Sequence, residues 1–233
     1  MSAELKQTEE QQLQPPALKK LIMKVTTTTV ANTTALKLPI MEAFYTIQGE
    51  GYFTGTPAYF IRTGGCDVGC VWCDVKDSWD EERWPRQAVS DIVAAAKAHP
   101  ARTAVITGGE PMMHDMDILT LALKEEGFKT NVETSGTSPL TGHWDWICFS
   151  PKKFKKPLDA YYEKAHELKV VIYHKSDLQW AEAHASRMNP GAQLYLQPEW
   201  DRSHKMLPEI LKYVKDNPHW KISLQTHKFM NIP

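Results

Sequence analysis

The sequence predicts an α/β fold: an abridged, open partial (β/α)6 barrel with a flexible N-terminal tail. From Ile40 onward, short β-branched or aromatic runs alternate with longer helical patterns, at the spacing of βα units rather than of hairpins. Polar or glycine-rich segments follow five of the predicted strands, where parallel α/β folds gather their ligands. The chain beyond the tail, about 190 residues, is short for a closed eight-stranded barrel of about 250, so the barrel is expected to stay open.

Residues 1–38 make up the tail. They are Glu/Gln-rich from Glu4 to Gln14, carry Pro15-Pro16, and are dominated by threonine from Thr26 to Thr34. Such a stretch has little apolar surface to bury and reads as a solvated extension, with a short basic amphipathic pattern from Leu18 to Val25. Residues 39–233 form one catalytic domain. Its predicted strands are Ala58–Arg62, Thr103–Ile106, Lys129–Val132, Trp146–Phe149, Lys169–Tyr173, Gln193–Leu196 and Lys221–Leu224. Between them run helical patterns at Ala88–Ala98, Asp117–Glu126, Leu158–Glu167, Asp177–Met188 and Lys205–Lys215. This alternation argues for a mostly parallel sheet. The segments 108–111, 133–136, 150–152, 197–199 and 225–228 then fall at one end of that sheet and would line one site.

Bulk composition narrows the partners. A chain of 233 residues with 42% hydrophobic content supports a single core. A formal net charge of -1 gives no general attraction to nucleic acid or to an anionic membrane, and leaves a small molecule as the expected substrate. No run of about 18 apolar residues is present. The N-terminal stretch lacks the compact apolar core of a secretory signal, so a reducing cytoplasm is expected, where clustered thiols mean metal or catalysis.

Three of the four cysteines, Cys66, Cys70 and Cys73, fall within eight residues directly after a predicted strand. Pairing two of them would strain the loop and leave an odd thiol. Three thiolates on so short a loop can face one cluster, and Gly64, Gly65 and Gly69 permit the tight or left-handed turns this requires. Cys148, in an apolar strand, reads as a core residue. A cluster with three cysteine ligands leaves one iron open to substrate or cofactor. The competing reading is a structural zinc site closed by one of the nine histidines, although zinc ribbons use two Cys-x2-Cys pairs and this chain has one.

With Trp72 before the last cysteine and Gly108-Gly109-Glu110-Pro111 downstream, the loop resembles the radical S-adenosylmethionine superfamily. Thr46-Ile47-Gln48-Gly49-Glu50-Gly51, Phe60-Ile61-Arg62, Glu133-Thr134-Ser135-Gly136-Thr137, Ser150-Pro151-Lys152 and Gln225-Thr226-His227-Lys228 extend the likeness. Together they make the stretch from Pro39 to Pro233 resemble the 7-carboxy-7-deazaguanine synthase family; several motifs in order are more specific than any one.

The resemblance implies a 4Fe-4S cluster on Cys66, Cys70 and Cys73 that binds S-adenosylmethionine, with a flavodoxin- or ferredoxin-type reductant and a homodimeric assembly. The radical is carried by the cofactor, so no side chain is catalytic in its own right. Gly109 and Glu110 would meet the methionine end of S-adenosylmethionine. Ser135, Ser150, Pro151 and Lys152 would hold its ribose and carboxylate side, with Trp72 and Asp74 bordering it on the cluster loop. The neighbouring Lys153, Lys155 and Lys156 read equally as solvated surface.

The implied substrate is 6-carboxy-5,6,7,8-tetrahydropterin, and the implied products are 7-carboxy-7-deazaguanine and ammonia, a carbon-nitrogen lyase reaction of 7-deazapurine (queuosine-type) biosynthesis. Ile47, Gln48, Gly49 and Glu50 match the pterin-reading segment. Arg62 would bind the substrate carboxylate and Thr107 the ring, with Gln197, His227 and the terminal carboxylate of Pro233 as further candidates. For Arg62 the rival reading is a strand-end arginine paired to a nearby acid.

One departure concerns Mg2+, for which the family uses a hydroxyl residue two positions past the last cysteine. Here that position is Val75, which cannot ligate a hard cation. Asp74, Asp77 or Ser78 substitutes, or substrate and water alone hold the ion, or it is dispensed with. Two alternatives remain for the chain as a whole: another small radical enzyme, such as a glycyl-radical activase, and a non-catalytic zinc-stabilised module.

Overall fold

The structure, a computed structural model, describes residues 33–233. Its elements in chain order are β1 (Lys37–Ile47), β2 (Pro57–Thr63), β3 (Arg86–Ala88), α1 (Val89–Lys97), β4 (Thr103–Gly108), α2 (Asp117–Glu125), β5 (Lys129–Thr134) and β6 (Trp146–Phe149). They continue with α3 (Ala160–Lys164), β7 (Glu167–Ile172), α4 (Asp177–Ala185), β8 (Gln193–Pro198), α5 (Ser203–Asp216), β9 (Trp220–Ile222) and α6 (Thr226–Met230). The nine strands form one sheet in the order β3-β1-β2-β4-β5-β6-β7-β8-β9. From β2 to β9 all neighbours are parallel, whereas β1 runs antiparallel to both β2 and β3. β3 and β9 end the sheet without pairing to each other, so the barrel is open, as its length requires.

Alternation along the parallel strands separates the two faces. Ile61, Ile106, Val132, Leu168, Val170, Ile172 and Leu196 point outward and are buried beneath Val89, Ile92 and Val93 of α1, Leu119 and Leu123 of α2, Leu178 of α4 and Ile210 of α5. Their strand neighbours Arg62, Thr107, Glu133, Lys169 and Gln197 point inward and line a cavity. One face is thus a helix-covered apolar layer, and the other is free to carry chemistry. Between β5 and β6 no helix intervenes, which is the abridgement of the barrel.

All seven predicted strands and all five predicted helices have counterparts, with shifted ends. The pattern at Leu158–Glu167 overran: α3 closes at Lys164 and Glu167 already opens β7. Three elements had no sequence counterpart. In β1, Pro39 and a register shift between Ile40 and Glu42 break the alternation that would have marked a strand. Strand β3 has three residues. Helix α6 is one turn of Thr226–Met230, which read as a polar loop and is stopped by Asn231 in the left-handed region. The amphipathic stretch Leu18–Val25 lies outside the described residues, as does the tail up to residue 32. Leu38, assigned to the tail by composition, is a buried core residue in β1.

Candidate active site

A cavity of about 230 Å³ opens at the C-terminal ends of the parallel strands. All three clustered cysteines border it, as do Trp72, Asp74, Gly109, Ser150 and Lys152 from the candidate cofactor residues. From the candidate substrate residues it gathers Ile47, Gln48, Gly49, Glu50, Arg62, Thr107, Gln197, His227 and Pro233. Residues 186 positions apart in sequence, from Ile47 to Pro233, therefore share one wall system. Glu110, Ser135 and Pro151 do not border it.

The cysteine loop is pinned by backbone bonds on both flanks. The Gly65 N–H donates to Ser78 O (2.6 Å), Cys66 N–H to Trp79 O (3.1 Å), Glu110 N–H to Gly65 O (2.8 Å), and Cys73 N–H to Cys70 O (3.1 Å). Gly65 and Gly69 take the positive φ that the sequence anticipated, at 94° and 72°. All four cysteines are free thiols. Burial pushes the Cys66 thiol up and the Cys70 thiol up to about 11, with Cys73 adding to both shifts, Cys66 adding to that of Cys70 and Lys152 opposing that of Cys70. Loading with iron would therefore release protons. Cys148 lies buried on β6 beside a second cavity of about 10 Å³ rather than on the main one, in keeping with a core role.

Three thiols on one loop, at one cavity wall and without a disulfide, are the donor set a four-iron cluster takes, one thiolate to each of three corners. Among the described residues, no three His, Cys, Asp or Glu side chains stand close enough to hold a single ion.

Glu110 is turned away from the cavity, 1% exposed, beneath the loop it was expected to serve. Its carboxylate accepts from Thr134 Oγ1 (2.5 Å), Ser135 N (2.8 Å), Met112 N (3.1 Å) and Ser135 Oγ. Glu110 and Ser135 thus knot the end of β4 to the end of β5, and neither borders the cavity. Pro151 is buried next to Lys152, whose Nζ donates to Ser150 O (2.7 Å) and Ser150 Oγ (2.6 Å) and stands 5.9 Å from the Trp72 ring. Burial lowers the Lys152 pKa.

Arg62 pairs with an acid and also borders the cavity. Its Nε lies 3.0 Å from Glu42 Oε1, in a geometry too oblique for a hydrogen bond, while the side chain borders the cavity. Asp74, next to the last cysteine, accepts from Lys228 Nζ (2.9 Å) and Gln225 Nε2 (3.5 Å), tying the cluster loop to α6. His227 packs over Gly49, and burial lowers its pKa. The Thr46 hydroxyl donates to Pro233 O (3.1 Å).

The residue that sequence reasoning missed is Lys169. Its side chain is 3% exposed, and its Nζ meets Glu50 Oε2 (2.5 Å) and Glu133 Oε2 (2.7 Å) at the cavity floor. Glu133 was placed in a polar segment without a role. A signal was present: a lysine inside Leu168-Lys169-Val170-Val171-Ile172, a strand otherwise apolar enough to be buried. Trp200 also borders the cavity unforeseen.

Comparison with known proteins agrees with this geometry. The model of the Radical SAM superfamily matches residues 60–168. A 7-carboxy-7-deazaguanine synthase of Flavobacterium psychrophilum is 56% identical over 196 residues, spanning 84% of this chain and 93% of the relative. One from Synechocystis is 47% identical over 194 residues, spanning 83% and 93%. The crystal structure of QueE from Escherichia coli superposes with a TM-score of 0.74 at 31% identity, covering 84% of this chain and 97% of that one.

Proposed function

The chain belongs to the 7-carboxy-7-deazaguanine synthase family of the radical SAM superfamily, and from that premise we propose its reaction: 6-carboxy-5,6,7,8-tetrahydropterin to 7-carboxy-7-deazaguanine and ammonia. This is a radical ring contraction and makes the enzyme a carbon-nitrogen lyase. The observation that carries the reading is one cavity bordered by three free thiols on one side and by a carboxylate-rich floor with Arg62 on the other.

Cys66, Cys70 and Cys73 would hold the 4Fe-4S cluster, which when loaded supplies the electron that cleaves S-adenosylmethionine to the hydrogen-abstracting radical. The chain's own task is placement and exclusion of water. Gly109 lets backbone come close where the methionine end would lie, and Ser150 and Lys152 border the same side. The Arg62 Nε makes no hydrogen bond among the described residues, and the guanidinium is offered to the substrate carboxylate. Gln48, Glu50 and Gln197 face the pyrimidine edge, with Thr107 and His227 against the ring.

For Mg2+, Val75 borders the cavity without a ligand atom, and Asp77 is turned to Arg83 (3.0 Å) away from it. Asp74 and Ser78 are the remaining oxygens at that wall, so a weaker magnesium response than in hydroxyl-bearing relatives belongs to this reading. A flavodoxin- or ferredoxin-type reductant, a homodimer and a cytoplasmic setting belong to it as well, on the family resemblance.

The test is anaerobic incubation of iron-reconstituted protein with S-adenosylmethionine, dithionite and the carboxypterin, followed by mass detection of the deazaguanine acid. Product is expected from the wild type and none from Cys70→Ala. 5'-Deoxyadenosine released without the acid would overturn the reading in favour of another radical enzyme.

A further inference from the structure

We propose that Lys169 is a specificity-determining residue: its ammonium holds Glu50 and Glu133 side by side as a paired acceptor for the N–H-rich edge of a 2-aminopyrimidinone ring. The inference rests on the functional reading above and assigns the group that would recognise the substrate's heterocycle.

The two carboxylates reach the floor from distant places, Glu50 from the turn after β1 and Glu133 from β5, and both bond to Lys169 Nζ. Glutamines fix their remaining oxygens. Gln48 Nε2 donates to Glu133 Oε1 (3.0 Å) and Gln225 Nε2 to Glu50 Oε1 (2.9 Å). Gln197 also hydrogen-bonds Glu50, and its own carbonyl is held by Ser223 Oγ (2.7 Å). A carboxylate pair has about eight lone-pair sites; the donors named here take five, leaving about three directed at the cavity. Lys169 has three N–H donors and gives two to the carboxylates, so one remains. Two carboxylate acceptors side by side complement an amino group and a ring N–H, two donors in a row.

Two carboxylates this close would share a proton without the cation between them. Burial, which alone would raise the Glu50 pKa, is outweighed by the Lys169 charge and the carboxyl is pulled down to about 2. Lys169 itself, against its burial, is pushed well up by Glu133 and Glu50, with Cys148 and Glu167 adding to the effect. Burial lowers the pKa of Lys152 and the Lys169 charge adds to that, while His227 faces Glu50 from α6. Glu50 and Lys169 therefore both stay charged through neutral pH in the wild type, whereas a carboxylate pair without the cation favours a shared proton.

The test is ligand affinity from pH 6 to pH 8, measured by quenching of intrinsic fluorescence with the carboxypterin and with its 2-deamino analogue. The wild type is expected to prefer the aminopterin by roughly 10- to 100-fold with little pH dependence. Lys169→Met should lose that preference, and its affinity for the aminopterin should rise with pH as the shared proton leaves. Lys169→Arg should restore part of the preference. Because Lys169→Met leaves two buried carboxylates unpaired, the double variant Lys169→Met/Glu133→Gln relieves the repulsion and should fold while still failing to discriminate. S-adenosylmethionine affinity should stay unchanged in every variant. Unaltered discrimination in Lys169→Met or in the double variant overturns this inference alone. A wild type that binds no pterin overturns it together with the functional reading.

Discussion

On the cysteine side of the cavity the walls meet through backbone. A Cβ at Gly109 would stand 2.1 Å from Gly65 O, and Gly108, at φ 117°, would place one 2.4 Å from Thr63 O. On the opposite side they meet through charge, with Lys169 bracketed by Glu50 and Glu133 and the glutamines that orient them. The first wall carries three free thiols on one backbone-pinned loop. The second offers directional hydrogen bonds to a flat polar ring. A radical enzyme needs both, because its reactive carbon must face a substrate held still. The cost of damage should also differ: steric and all-or-none on the backbone side, electrostatic and graded on the charged side.

Gly109→Ala should break the comparison most sharply. The clash is with a backbone oxygen that itself accepts the Glu110 N–H, so no side chain can swing aside. Iron content per chain after anaerobic reconstitution should fall, and turnover should drop about 100-fold or more. Retained iron and turnover would show that the two strands separate more easily than their contacts indicate.

Glu50→Gln tests the charged wall. Ionised Glu50 stabilises the fold fully above the ordinary carboxylate range, and that contribution is lost as pH falls from about 4.5 towards about 2. The displacement is worth on the order of 3 kcal/mol. Urea midpoints of the wild type should therefore drop across that window by more than those of Glu50→Gln. At pH 7 the variant should be the less stable protein, since Lys169 keeps a single carboxylate partner. Parallel acid titrations of the two proteins would contradict the assignment.

The two walls were also unequally legible in the sequence. Cys66, Cys70, Cys73 and the glycines around them are local: the spacing that lets three sulfurs face one object lies within one loop. The parallel sheet was legible for the same reason, as each βα unit carries its own periodicity. The charged floor is assembled from the turn after β1, β5, β7, β8 and the α6 turn, and of its residues Gln48, Glu50 and Gln197 were anticipated only through the family resemblance. Glu133 reads as one polar residue in a strand end, and Lys169 becomes conspicuous only once its strand is known to be buried. Glu110 shows how little a motif says of its side chain's direction. Its motif marks the cofactor side, yet its carboxylate serves the β4–β5 junction, and direction cannot be read from a motif.

Glu110→Gln sharpens that last distinction. An amide would set an N–H2 group against donors at Thr134, Ser135 and Met112, leaving at least one buried donor unmet at a cost of about 2 kcal/mol. Thermal stability should fall while S-adenosylmethionine affinity changes less than about twofold, the scale of contacts not made to the ligand. A large loss of affinity with an unchanged melting temperature would put the carboxylate back on the cofactor.

The smallest effect is expected from Val75→Ser, at the seam between the two walls. Val75 borders the cavity one residue beyond Asp74, whose carboxylate is shared by Lys228 and Gln225. Ser78, the other oxygen at this wall, already donates its proton to Val75 O (2.6 Å). A serine at position 75 adds a neutral oxygen of the kind hard cations accept, at a position close to both cofactor and substrate sides. Turnover in EDTA should match the wild type, and the gain on adding Mg2+ should be several-fold larger in the variant. If the wild type already shows a strong saturable requirement and the serine adds nothing, Asp74 or Ser78 must supply the ligand. The ties of Asp74 to α6 would then have to yield when the ion binds, and the C-terminal turn would loosen with it.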